Sequence, residues 1–246
     1  MCTPQEEVSR VIRRVHLTLE NFDQEKLLEA GRDFRYLLSR GYARQAALTL
    51  VGNRYQQNRA ARQLLHRGVF DPATAARRRA KLVTLAALKA GPLSLDGHNV
   101  LITLECGLQG LPLVAADDGF IRDIGEVSRR YQPSPLSDAA LSRLAQYLQE
   151  HHLGPIKVWY DAPLSRSGEL AARTRQMFEA QGLVVEARAV AVPEKCLMAE
   201  AIPVSTSDTA LIDQIPLVVD VAGEILRGYP AAQVISFVPK DNLGTS

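Results

Sequence analysis

The sequence predicts an α/β fold, a mainly parallel sheet flanked by helices over residues 91–246, preceded by an all-helical region over residues 1–90. Three observations predict it. Up to about residue 90, apolar residues recur at helical spacing, whereas from Leu93 short apolar runs alternate with amphipathic segments. The charge also changes sign: residues 1–90 carry 17 Lys and Arg against 8 Asp and Glu, and the remainder carries 12 against 19. Gly91 and Pro92 in "KAGPLS" punctuate the chain where the two patterns meet.

The helical region begins with Leu27, Leu28, Phe34, Leu37 and Leu38 on one helix that Gly41 should end. Further helices are expected from about Ala43 and Gln57. Another follows Asp71, a good N-cap residue, with Pro72 at its first position. Arg77, Arg78, Arg79 and Lys81 make it the densest cationic cluster in the chain. Strands are then expected at 93–95, 113–115, 156–160, 184–190 and 234–237, with helices between them at 100–108, 138–150, 168–181 and 209–226. Strands alternating with helices pair in parallel through crossovers, which places their carboxyl ends on one edge.

Composition excludes several classes. With 46% hydrophobic residues the chain can bury a core, yet no apolar run reaches the roughly 18–20 residues of a membrane helix. The opening "MCTPQEEVSRVIRR" has no apolar core of a signal peptide, so the expected location is cytoplasmic, with no membrane partner. Cys2, Cys106 and Cys196 are too widely and irregularly spaced for a zinc site, and they read as free thiols. A basic segment joined to an acidic one fits an enzyme that grips phosphates with one part and metal with the other; it equally fits two parts attracted to each other. A homo-oligomer is compatible with either.

Acidic residues gather where the expected strands end. Asp96 follows the first in "LSLDGHNVLITLE", Asp117 and Asp118 the second, and Asp161 the third, while Asp208 opens a helix with Asp213 about one turn on. Asp96 has two readings, a turn residue among Gly97 and Asn99 or a site carboxylate. Carboxylates brought together repel each other, and hard cations relieve that repulsion with oxygen ligands, so Mg²⁺ or Mn²⁺ is the expected cofactor. Helix starts at Ser165, Arg166, Ser167 and Gly168, and at Ser205, Thr206 and Ser207, suit a bound phosphate or plain capping. His98 is a candidate base beside Asp96. No GxSxG elbow supports a serine triad.

The segments "DFRYLLSRGYARQAALTLVGNRY", "LDGHNVLITLE", "VAADDGFIRDI", "YDAPLSRSGELA" and "STSDTALID" resemble the prokaryotic family described as domain of unknown function 434, with its companion 5616. The resemblance covers about residues 27–226. More distantly, "LDGHNV" is similar to the opening motif of NYN domains, the PIN-like nucleases. "VWYDAP" is similar to their later strand ending in Asp, and "TSDTALID" to their acidic helix start. That resemblance implies a PIN/NYN-like fold over residues 91–246, with Asp96, Asp161 and Asp208 binding Mg²⁺ or Mn²⁺ for RNA cleavage and Asn99 beside the first.

The expected function is therefore metal-dependent hydrolysis of RNA by Asp96, Asp161 and Asp208, with Arg77, Arg78, Arg79 and Lys81 holding the polyanion. The alternative is a regulatory module that binds nucleotide, metal or RNA without turnover. A phosphotransferase or phosphatase with an Asp nucleophile has less support, because no DxDx motif follows a strand.

Overall fold

The computed structural model describes residues 22–125, 132–164 and 166–238. Among the described residues four helices come first: α1 (Gln24–Ser39), α2 (Arg44–Arg54), α3 (Arg59–Gly68) and α4 (Pro72–Arg79). Side-chain caps start three of them. Asp23 accepts from the Lys26 N–H, Asn58 from Ala61, and Asp71 from Thr74, with Pro72 at the first helical position as the sequence led one to expect. Gly41 follows α1 at φ +81°, a conformation that costs glycine nothing.

The helices do not form a core by themselves. Leu27, Phe34, Val51 and Leu64 join Val114, Ile124, Ile235 and Phe237 in one buried cluster, so residues from far along the chain close the helical layer. Strand β1 (Leu82–Val83) then enters the large sheet, an exception to the expected all-helical start.

The remaining elements are β2 (Leu93–Asp96), α5 (Gly97–Leu108), β3 (Pro112–Ala115), β4 (Ile121–Asp123), α6 (Pro135–Glu150), β5 (Ile156–Asp161), α7 (Ser167–Ala180), β6 (Val185–Val190), α8 (Pro193–Ala199), β7 (Val204–Ser205), α9 (Thr209–Gln214), β8 (Val218–Val219), α10 (Val221–Arg227) and β9 (Gln233–Ser236). Six strands form a parallel sheet in the order β1-β8-β7-β2-β5-β6. A separate three-stranded sheet, ordered β4-β3-β9, pairs β3 with β4 antiparallel and with β9 parallel. Helix α5 is buried along nearly its whole length because it lies against both sheets. Among the described residues no helix is long and apolar enough to cross a membrane.

Two expectations are corrected. The single helix over 209–226 is two short helices with β8 between them. Pro216 offers no backbone N–H to continue a helix, and Val218 and Val219 pair with β1 and β7 instead. The strand preceding Asp117 belongs to the small sheet, so its carboxyl end is not on the edge that carries Asp96.

Gly97 answers part of the question posed by "LDGHNV". It is the first residue of α5, and a Cβ there would stand 2.5 Å from Cε1 of Tyr160. Tyr160 is fully buried and its hydroxyl bonds Thr174 Oγ1 at 2.7 Å, so the ring has nowhere to go. Gly97→Ala should therefore cost about 1–3 kcal/mol of stability, read as a lower denaturant midpoint with unchanged slope. An unchanged midpoint would refute that close-packing role.

Candidate functional site

The carboxyl edge of the parallel sheet carries a cavity of about 320 Å³ lined by Asp96, Asp161, Glu194 and Asp208, together with His98, Asn99, Arg67 and Asp123. The fold explains the convergence. β2 and β5 are neighbours in register, with Asp96 opposite Trp159, so Asp161 follows two residues further along the adjacent strand at the same edge. Glu194 lies in the first turn of α8, just after β6, and Asp208 caps α9, just after β7.

Burial pushes the Asp96 carboxyl up to about 7, and the charges of Asp208 and Glu194 push it the same way, against the Thr206 hydroxyl. Asp161 is raised by burial and by Glu194. A carboxylate whose folded pKa exceeds its unfolded value binds more protons in the native state between the two. Its contribution to metal-free stability is thus fully present below about pH 4 and is lost as pH rises through about 7. Unfolding curves of metal-free protein from pH 5 to 8 should show this decline, and Asp96→Asn should flatten it. Equal slopes in the two proteins would contradict the assigned cause.

Neighbouring groups hold the acids in place. Thr206 Oγ1 donates to Asp96 Oδ2 at 2.8 Å, leaving Oδ1 outside that bond. Asn99 Oδ1 accepts from the N–H and the hydroxyl of Ser207 at 2.7 and 3.0 Å, which ties α5 to the loop before α9. Asp208 Oδ1 accepts from the N–H groups of Ala210 and Leu211. Among the described residues, nothing donates a hydrogen bond to the Asp161 carboxylate. His98 holds the backbone at Asp161. Its Nδ1 accepts the Asp161 N–H at 3.1 Å, its ring packs edge-on against Tyr160, and burial lowers its pKa to about 4.

Other expected site residues lie elsewhere. Asp117 receives a forked pair of bonds from Arg35 at 2.8 and 2.7 Å and the Phe70 N–H at 3.0 Å. Asp118, fully buried, holds Arg122 at 2.7 and 2.9 Å and Arg78 at 3.3 Å. Asp213 takes two 2.8 Å bonds from Arg78, whose guanidinium holds its carboxyl below the usual range. Arginine rather than metal neutralises all three, and they do not join the strand-edge cavity.

The same bonds remove Arg78 from the expected cationic surface, and Lys81 Nζ donates to the carbonyls of Ile212 and Asp213. Only Arg77 and Arg79 of that cluster are exposed. The hydroxyls expected at a phosphate turn inward. Ser167 donates to the Asp161 and Leu164 carbonyls, Ser205 accepts from the Val221 N–H, and Thr206 serves Asp96. Ser165 and Cys2 lie outside the described residues. Glu194 is the acid that sequence reasoning missed, although "AVPEKC" carried the signal applied elsewhere: an acid just past a strand, beside a helix-starting proline.

Among the described residues, no three His, Cys, Asp or Glu side chains are arranged closely enough to surround a metal ion directly. Mg²⁺ keeps several waters and commonly uses one or two carboxylates, and this cavity offers carboxylates beside the apolar side chains of Ile102, Leu164, Leu197 and Leu211.

A parallel sheet behind a helical layer, with acids on its carboxyl edge, defines a mixed α/β protein with a strand-edge acidic pocket. The chain belongs to the family described as Domain of unknown function (DUF5616), whose model matches residues 85–224. A second model, Protein of unknown function (DUF434), matches residues 26–81. A Methanocaldococcus jannaschii protein described as uncharacterized is 31% identical over 201 residues, spanning 81% of this chain and 96% of that protein. No solved structure matches the chain significantly.

Proposed function

We propose that the α/β part is a PIN-like unit of NYN type and that the protein is a Mg²⁺- or Mn²⁺-dependent ribonuclease. The observation that carries this reading is the shared cavity of Asp96, Asp161, Glu194 and Asp208 at one sheet edge. Their order along the chain also follows the resemblance noted for "LDGHNV", "VWYDAP" and "TSDTALID". One or two of Asp96, Asp161 and Asp208 would hold a hydrated ion directly, and the others, with Glu194, would reach it through its waters. When bound, it supplies Lewis acidity toward a phosphoryl oxygen and makes water more acidic. Thr206 and Asn99 keep the acids from swinging away, and the neutral His98 fixes the backbone at Asp161.

The test pairs calorimetric titration of Mn²⁺ into purified protein with cleavage of a mixed single-stranded RNA. Metal binding accompanied by cleavage that EDTA abolishes is expected. Absence of Mn²⁺ binding would end this reading, and binding without cleavage would leave a metal-binding module instead.

A further inference from the structure

A second and larger cavity, about 690 Å³, lies where α2 and α3 of the helical layer face α4 and the loop before α9. Its volume is typical of a ligand site. Five arginines line it, Arg44, Arg59, Arg67, Arg78 and Arg122, against the carboxylates of Asp71 and Asp208. Arg78 and Arg122 have anionic partners in Asp118 and Asp213. Arg44 does not.

The Arg44 guanidinium donates to the carbonyls of His66 and Val69 and lies over the Phe70 ring at 4.6 Å, with no salt bridge to any described residue. Burial, and then the charges of Arg78 and Arg122, pull its pKa down to about 10, which marks positive potential that nearby acids leave uncompensated. Arg67 adds a second signal. Among the described residues its buried Nε has no hydrogen-bond partner, and its ion pair to Asp123 is long, at 3.3 Å. A buried donor left unmatched costs free energy that an anion in the cleft would offset.

Two features specify the anion. Tyr42, on the rim, is 57% exposed and offers an aromatic face among cations, the combination that stacks bases while arginines track phosphates. Arg67 and Asp208 line both this cleft and the acidic pocket, so the two cavities adjoin. We infer that the cleft seats a single strand of nucleic acid, with phosphates against Arg44, Arg59 and Arg67, a base on Tyr42, and the strand leading toward Asp96 and Asp161. This deepens the ribonuclease reading and rests on it for the direction of the strand. Occupancy of the cleft is testable separately.

The experiment is fluorescence anisotropy of a labelled single-stranded RNA of about a dozen nucleotides with the full chain in EDTA, which removes metal from consideration. Tyr42→Ala should weaken binding about tenfold, and Arg59→Ala should weaken it and lower the slope of log affinity against log salt by about 0.7. Both side chains are exposed, so the variants should fold. Arg173→Ala, in α7, whose side chain pairs with Asp138 of α6 and lines neither cavity, should bind as wild type does.

Wild-type affinity in both Tyr42→Ala and Arg59→Ala would overturn the inference, as would absence of RNA binding at low salt. Equal affinity for a blunt duplex of the same sequence would overturn the single-strand assignment. Absence of Mn²⁺ binding by the wild-type chain with RNA binding in EDTA intact would count against the metal reading alone, and Mn²⁺ binding without RNA binding in EDTA against the cleft alone.

Discussion

Asp96→Asn and Asp161→Asn should each abolish most Mn²⁺ affinity while leaving the metal-free fold as stable as before, or more so. Asparagine can keep the oxygen that accepts the Thr206 hydroxyl, so local geometry survives. What disappears is a charge that Asp208 and Glu194 oppose, and relieving like-charge repulsion stabilises the metal-free protein. Groups that merely support metal ligands cost about 10- to 100-fold in affinity when removed, so loss of a ligand should reach or exceed the upper figure. RNA cleavage should fall at least in proportion. Calorimetry, thermal unfolding in EDTA and a cleavage assay on the same preparations provide the three readings. A variant that loses metal-free stability while binding Mn²⁺ normally would show that Asp96 shapes a turn and nothing more.

The largest stability effect should come from Asp118→Ala. That carboxylate is fully buried and faces Arg122, itself 1% exposed, and Arg78. Removing it leaves a buried guanidinium whose remaining acceptors are the Ser207 and Arg67 carbonyls. Breaking a buried pair by deleting one partner costs about 3–5 kcal/mol, a large part of a domain's stability. Urea unfolding should show a much lower midpoint, and the double variant Asp118→Leu with Arg122→Met should recover much of the loss. A metal ligand would behave oppositely, with Asp118→Ala lowering Mn²⁺ affinity at unchanged stability. The two outcomes separate the arginine network from the acidic pocket.

Asp96, Asp161 and Asp208 were legible in the sequence because apolar strand patterns run directly into the first two and a helix start into the third. Asp117 and Asp118 obeyed the same local rule and ended elsewhere. Strand-end position identifies an edge, but not which sheet the strand joins. Arg35, which neutralises Asp117, lies 82 positions away, and Asp118 joins Arg78, 40 positions away, to its near neighbour Arg122. The basic lining was hidden for a related reason. Arg44, Arg59 and Arg67 are spread over two helices and never form a run, whereas the conspicuous Arg77–Arg79 stretch directs one side chain inward. Strands of two residues, such as β1, β7 and β8, are too short for alternation to reveal them.

The union of early helices with late strands also constrains the order in which the chain acquires its structure. During synthesis α1–α4 emerge before Ile235 and Phe237, the residues that complete their apolar layer, and β1 precedes its partner β8 by well over a hundred residues. Until those segments arrive, the helices present an uncovered greasy face, and closing such distant contacts is slow. Expressing residues 1–90 as an isolated fragment should accordingly give an aggregating product, even though three of the four helices α1–α4 carry side-chain caps at their starts.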